Sequence, residues 1–284
     1  MCPNLLTAIK NIAEFKNNDL KDYFASYQIR VNQVGEQLEF YIRDAICGSF
    51  TSNKDELIHS RGTFSYLGNQ NNGPDVIITN GDAFEIKKIQ NLKASLALNN
   101  SFPKDRLYRD DHRITEECRN IDGGNWTSKE IFYVIGVATK SKINHLFIVH
   151  GRCYAAERAV YETKSDRLKQ GIDIFFNNEG WDTTKTTELG RINKMDPLCI
   201  TNFRIRGMWE IENPVRVFSY IYKVYEKGSF SLAALMTKQK YDSFPQEDRA
   251  ALETIKEVKS KTVEVKNPNN PAQLMQAQLI TLVW

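Results

Sequence analysis

The stretch that most limits what this chain can fold into is residues 74–87: Pro74-Asp75-Val76-Ile77-Ile78-Thr79-Asn80-Gly81-Asp82-Ala83-Phe84-Glu85-Ile86-Lys87. Two apolar runs flank Asn80-Gly81, a dipeptide that favours a tight turn between antiparallel strands. Glu85 and Lys87 are two residues apart and so share one face of a strand. Asp75 joins them there only if the loop holds an odd number of residues or a strand bulges. A two-residue loop at Asn80-Gly81 would set Asp75 opposite Ile86, on the wrong face. The expected geometry is a three-residue loop, Thr79-Asn80-Gly81, with Gly81 left-handed and a bulge after it, which sets Asp75 opposite Glu85. Two acids beside one ammonium suit magnesium-dependent phosphodiester chemistry. Mg2+ binds through one or two carboxylates and keeps its other positions for water and phosphate. A lysine can hold the attacking water and neutralise charge as the phosphorus becomes five-coordinate. The bland alternative is a surface hairpin with a solvated Glu85 and Lys87 stripe. The apolar strands around the carboxylates and the Pro74-Asp75 opening weigh against it.

Pro74-Asp75, nine residues, then Glu85-Ile86-Lys87 resembles the PD-(D/E)xK signature of a nuclease superfamily that includes most type II restriction endonucleases. Further blocks narrow the likeness: Phe64 to Asn69, Ala97 to Lys104, Glu188-Leu189-Gly190-Arg191-Ile192-Asn193, Arg204-Ile205-Arg206-Gly207-Met208-Trp209 with Ile211-Glu212-Asn213-Pro214, and Lys266 to Ala272. Together, and in this order, they resemble the NgoPII-type restriction endonucleases over nearly the whole chain. That resemblance implies a restriction-endonuclease-like α/β core with a mixed central sheet flanked by helices. It also implies a homodimer that uses Mg2+ to cut double-stranded DNA at a short palindrome, GGCC in the named family, leaving 5′-phosphate and 3′-hydroxyl ends. Asp75 and Glu85, with the Ile86 carbonyl, would hold the metal, and Lys87 would position the water. In many nucleases of this superfamily a helix before the hairpin adds another acid, which points to Glu36 or Glu39; otherwise these lie on a charged outer helix face.

With 284 residues the chain can form one large domain or two small ones. One domain is expected, with a helical part at 1–60, a catalytic core at 61–152 and a helical, DNA-recognition part at 153–284. The 41% hydrophobic and 26% charged composition excludes wholesale disorder. A net charge of +3 is only mildly basic, so a nucleic-acid partner requires the cations to be segregated on one surface. Cys2, Cys47, Cys118, Cys153 and Cys199 are odd in number and scattered, which fits reduced thiols and argues against zinc. Nothing resembles an export signal or a membrane span, so a cytoplasmic protein is expected. There is no phosphate-binding glycine loop and hence no expected nucleotide cofactor. His145 and His150, five apart on a strand, face opposite ways and do not suggest a shared ion.

After the hairpin, Lys88, Lys93, Asn99, Asn100, Ser101, Lys104, Arg106, Arg109 and Arg113 interleave cations with amides. Such a stretch fits contacts to phosphates and base edges, or else a solvated loop with local ion pairs through Asp105, Asp110 and Asp111. The family likeness favours DNA contact at Asn99, Asn100, Ser101, Lys104 and Arg106. Arg191, Arg204 and Arg206, helped by Asn193, are the candidate guanine readers, since a guanidinium gives two hydrogen bonds to O6 and N7 and each good pair discriminates by roughly 1–3 kcal/mol. The alternative pairs them with Asp196, Glu210 or Glu212.

Elsewhere, helical spacing marks residues 4–16, an interruptible region at 18–45, and residues 155–176, 214–225 and 249–259. Strands are expected at 63–67, 131–139, 145–150, 198–206 and 278–283, with the two prolines of 266–271 forbidding regular structure there. The reading is a sequence-specific, magnesium-dependent DNA endonuclease. Two alternatives are a nuclease of the same superfamily acting in repair or on branched DNA with little base specificity, and a DNA-binding protein that keeps the fold without cutting.

Overall fold

The computed structural model describes residues 3–20, 34–50, 62–69, 72–98, 101–139, 141–224 and 230–284. Helix α1, Leu5–Phe15, begins where the Asn4 side chain accepts the amides of Leu6 and Thr7, and its Leu5, Leu6, Ile9, Ile12 and Ala13 are buried. Helix α2, Val34–Cys47, follows. Then come β1 (Phe64–Asn69), β2 (Asn72–Ile78), β3 (Ala83–Ile89), β4 (Leu96–Ala97), β5 (Arg106–Tyr108), β6 (Ser128–Thr139) and β7 (Lys142–His150). A long helix α3, Arg158–Asn178, precedes β8 (Gly190–Ile192), β9 (Phe203–Ile205) and β10 (Glu210–Ile211). The chain closes with β11 (Ser231–Thr237), helix α4 (Gln246–Glu253), β12 (Val258–Asn267) and β13 (Asn270–Val283).

Among the described residues a nine-stranded sheet runs β1-β2-β3-β6-β7-β11-β13-β12, with β5 added on β6. Pairings β3–β6 and β7–β11 are parallel and the others antiparallel, so the sheet is mixed as expected. Strands β6 and β7 are apolar on both faces because both are covered. One face, with Val76, Phe84, Phe132 and Ile148, packs under α1, α2 and α4. The other, with Ile77, Ala83, Tyr133 and Phe147, packs under residues from 89–121 and 209–224. His145 and His150 lie buried on opposite faces, one bonded to Ser231 and the other to Glu130, both at 2.8 Å.

Four expectations need correction. The strand at 198–206 shrinks to Phe203–Ile205, because the Asp196 carboxylate takes the amides of Leu198, Ile200 and Thr201 and coils the chain there. The helix at 214–225 is only Pro214–Val217, after which Phe218 leaves helical geometry and packs on Phe147. The helix at 249–259 is Gln246–Glu253, and from Val258 the chain is a strand. Residues 266–271 do form a regular hairpin: Asn267 pairs with Asn270, Pro268 sits in the turn, and Pro271 falls where the register slips. The last strand therefore begins at Asn270 rather than 278. At the start of the second helical region Asp19 bridges Lys142 and Leu20 is helical, and residues 21–33 of that region lie outside the described residues.

Candidate active site and arginine hairpin

The turn between β2 and β3 has the odd length that parity requires. Ile77 pairs with Ala83 and Val76 with Phe84, and the Ile78 N–H donates to the Asp82 carbonyl at 3.0 Å, leaving Thr79, Asn80 and Gly81 as the loop. The left-handed residue is Asn80 (φ 55°), not Gly81 as expected. Asparagine tolerates that conformation, whereas Gly81 provides room: a Cβ there would stand 3.0 Å from Ile78 Cβ. Buried charges clamp the loop. Lys129 Nζ donates to the Gly81 carbonyl and pairs with Asp122 at 2.6 Å, and Lys240 holds Asp82 at 2.7 Å.

Continuing that register sets Asp75 across from Glu85, on the face of Ile77 and Ala83. The next position along β2 opposite Ile86 is Pro74, which has no N–H to offer. The backbone ladder opens here, and the Asp75 carboxylate accepts the Ile86 N–H at 2.5 Å instead. Lys87 Nζ lies 2.6 Å from Glu85 Oε1. The other Glu85 oxygen occupies the space beside Gly73, where a Cβ would come within 2.7 Å of it. Burial, with the Glu85 carboxylate adding to it, pushes the Asp75 carboxyl up to about 7, against the opposing pull of Lys87 and the Ile86 N–H. Burial also works to lower the Lys87 ammonium, but Glu85 and Asp75 outweigh it and hold the group above its ordinary value. Glu39 acts on both Asp75 and Lys87 from α2 while pairing with Arg43 at 3.7 Å. The Glu36 side chain lies outside the described residues.

The two carboxylates are hard oxygen donors in a buried place where one ammonium, Lys87, faces two acids, a donor set suited to a small divalent cation. Among the described residues no three His, Cys, Asp or Glu side chains gather as a closed metal cage. Mg2+ does not need one, since water and substrate phosphate complete its shell.

Beside this centre, Tyr133 on β6 is in register with Glu85, and its hydroxyl accepts the Lys104 N–H at 2.7 Å. Lys104 is turned inward: its Nζ donates to Ser101 Oγ and lies 3.8 Å from Asp111. Burial draws its ammonium below the ordinary lysine range, against the pull of Asp111. Arg113 takes the other side of Asp111 and stacks its guanidinium 3.7 Å from the Phe102 ring centre. Arg106 pairs with Glu130 at 3.1 Å, and the same carboxylate holds His150. Asn99 and Asn100 lie outside the described residues. The sequence reading missed Tyr133 and the role of Asp111; an acid repeatedly close to Lys and Arg in one loop was the available signal.

In the second half of the chain, β8 and β9 form a hairpin in which Arg191 stands directly opposite Arg204. Arg204 donates to both Glu188 oxygens at 2.8 and 2.7 Å, and Arg206 to one at 2.6 Å. The partner is thus Glu188, not Asp196, Glu210 or Glu212. The Arg204 hydrogen bond holds the Glu188 carboxyl below its usual range. The Arg191 Nε is buried without a hydrogen-bond partner. Two guanidinium groups share the Glu188 carboxylate while Arg191 faces Arg204, and like charges opposed across a hairpin are unfavourable unless an anion joins them. Asn193 donates to Thr184 at 2.7 Å. No helix among the described residues is long and apolar enough to cross a membrane.

Comparison with known proteins matches residues 3–268 to the family described as NgoPII restriction endonuclease. The chain is 41% identical over 281 residues to "Type II restriction enzyme NgoPII" of Neisseria gonorrhoeae, covering 98% of this chain and 99% of that one. No solved structure matches.

Proposed function

This chain belongs to the NgoPII restriction endonuclease family, and from that membership we propose that it is a Mg2+-dependent homodimer that cuts both strands of duplex DNA at GGCC. The type II restriction activity comes with the family; the metal, the target and the residue roles are this reading's own. The observation that carries it is the convergence of Asp75, Glu85 and Lys87 on one face, with Lys87 2.6 Å from Glu85 and Asp75 held at the opened ladder.

Asp75 and Glu85 would hold the cation, joined by the Ile86 carbonyl, which Pro74 leaves without a donor from β2. When bound, the cation supplies Lewis acidity toward the phosphate and stabilises the charge that builds on it. Lys87, no longer needed as the sole counter-charge of Glu85, orients the water for in-line attack and neutralises charge on the phosphorane. Cleavage leaves a 5′-phosphate and a 3′-hydroxyl. Glu39, or Glu36 on the same helix, is the further acid whose field reaches the site. Arg191, Arg204 and Arg206 read guanines from the β8–β9 hairpin with Asn193, and a target made only of G·C pairs requires several such donors. Residues 61–152 would carry the chemistry and 153–284 the recognition. Ser101, Lys104 and Arg106, with Asn99 and Asn100, would border the DNA backbone.

The test is digestion of one sequenced plasmid with Mg2+ and sequencing of the fragment ends. Ends confined to GGCC are expected. Smears or cuts that follow DNA junctions would favour a repair-type nuclease, and an intact plasmid would exclude cutting altogether.

A further inference from the structure

We propose that Lys104 and Arg113, set in place by Asp111, form a seat for one DNA phosphate beside the Asp75–Glu85–Lys87 centre. The seat stands on the active face of the sheet. Strand β6 runs parallel to β3 with Tyr133 in register with Glu85, and the Tyr133 hydroxyl accepts the Lys104 N–H at 2.7 Å. That bond anchors the Lys104 backbone over the strand next to Glu85, on the same face. Gly151 lets this backbone sit close, since a Cβ there would come within 2.6 Å of the Lys104 carbonyl oxygen.

Asp111 is committed to Arg113. Both of its oxygens accept from the guanidinium, at 2.7 and 3.1 Å, and one accepts the Arg113 N–H as well, at 3.0 Å. The Lys104 Nζ stands 3.8 Å from Asp111 Oδ2, beyond hydrogen-bond reach, and donates to a neutral hydroxyl, Ser101 Oγ. An ammonium has more donors than that to place. Two cations thus face one carboxylate where the Lys104 and Arg113 side chains are only 15% and 20% exposed. Other acids of the loop are turned elsewhere, Asp110 to Arg158 at 2.6 Å and Asp105 to the Tyr108 hydroxyl at 3.1 Å.

A sheltered surplus of positive charge is costly until an anion meets it. A phosphodiester fits, because it brings one negative charge and oxygen acceptors for the Lys104 donors. Arg113 is held fast: its guanidinium stacks 3.7 Å from the Phe102 ring centre, and Phe102 stacks on Tyr161 at 5.3 Å. Asp111 is therefore a positioning residue, fixed by Arg113 and acting through Lys104. Arg106 pairs with Glu130 at 3.1 Å and is no part of the seat. That the anion belongs to DNA rests on the nuclease reading above.

The experiment measures binding of GGCC duplexes to the full chain by fluorescence anisotropy without divalent metal, with one backbone phosphate at a time replaced by an uncharged methylphosphonate. Wild type, Lys104→Met and Asp111→Asn are compared, and Lys104→Gln replaces the methionine variant if circular dichroism shows that variant unfolded. Lys104→Met is expected to weaken binding of the unmodified duplex about 10-fold and to lower the salt slope by about 1. At one phosphate the methylphosphonate should cost the wild type about 10-fold and the variant nothing. Asp111→Asn should blunt the same loss, although it makes the protein more positive. A folded Lys104 variant that shows the wild-type loss at every phosphate would overturn the seat, and tighter binding by Asp111→Asn would overturn the positioning role. Nicking of supercoiled plasmid with Mg2+ is followed in parallel. A wild type that shows the single-phosphate coupling yet never cuts removes the nuclease reading and leaves the seat standing; one that cuts without the coupling does the reverse.

Discussion

Asp75 carries the clearest conflict between stability and chemistry. Below pH 4 its carboxyl is protonated both folded and unfolded and makes no difference to stability. As pH rises toward about 7, the unfolded chain has released that proton and the folded site has kept it, so stability falls across this window and stays lower above it. Asp75→Asn should therefore stabilise the metal-free protein by about 2–4 kcal/mol at pH 8 and by little at pH 4, while abolishing cleavage. Urea denaturation at the two pH values checks the sign; an equal change at both would contradict the raised carboxyl. On the proposed metal role the same group would make cation binding pH-dependent, because the site must lose its proton to accept Mg2+. Proton uptake or release is readable in weakly buffered solution: near pH 6.5, adding Mg2+ should release a proton from the wild type and none from Asp75→Asn. Lys87→Ala should lower cleavage by about 10²–10⁴-fold, the range for a group that assists proton transfer or stabilises transition-state charge. A wild-type rate in that variant would remove Lys87 from the mechanism.

At the level of elements, the β8–β9 hairpin is seated by one missing methyl. A Cβ on Gly190 would meet the buried Phe176 ring at 2.6 Å and Ile172 at 3.0 Å, and neither can retreat far beneath the hairpin. Gly190→Ala should cost about 1–3 kcal/mol as an overpacked contact and weaken DNA binding, while leaving cation affinity at Asp75 and Glu85 unchanged. Titration of DNA and of metal on the same variant separates the two effects. The elements that sequence pattern made legible were those whose burial is uniform. β6 and β7 are covered on both sides and read as continuous apolar runs, and α1 shows a clean buried stripe with its cap. The β12–β13 hairpin was illegible because Val265 is the single buried hydrophobic residue of β12, so its lysines and the nearby prolines looked like loop chemistry. At the site, the parity of two strands could be worked out in advance, including the three-residue loop. Which residue of that loop turned left-handed could not, because Gly81 is occupied with avoiding Ile78. The placement of Tyr133 beside Glu85 depends on a parallel pairing between distant segments, and the capture of Arg204 and Arg206 by Glu188 on long-range packing. Neither leaves a local period in the sequence.

For the whole molecule, the decisive quantity is how cations are distributed rather than the net charge of +3. Lys129 and Lys240 are spent on internal carboxylates, while Lys104 and Arg106 pair with Asp111 and Glu130 beside the Asp75–Glu85 centre. Arg191, Arg204 and Arg206 stand together on one hairpin, where Glu188 pairs with Arg204 and Arg206. If the hairpin reads bases and the Asp75–Glu85–Lys87 centre cuts, one of each per chain serves one half-site and one strand, and a double-strand cut then requires two chains acting on one target. That requirement can be tested without locating the contact between them. Wild-type and Asp75→Asn chains, unfolded together in equal amounts and refolded, should yield mixed dimers in which each target meets one competent and one silent centre. Supercoiled plasmid carrying one target should then accumulate as nicked circles well beyond the transient level seen with wild type alone, and gel electrophoresis over time reads the ratio. If a single chain cuts both strands in turn, the silent chains merely dilute the active ones, and linear product forms at half the rate with no excess of nicked circles. The two outcomes differ in product rather than in amount, so partial refolding cannot imitate one with the other.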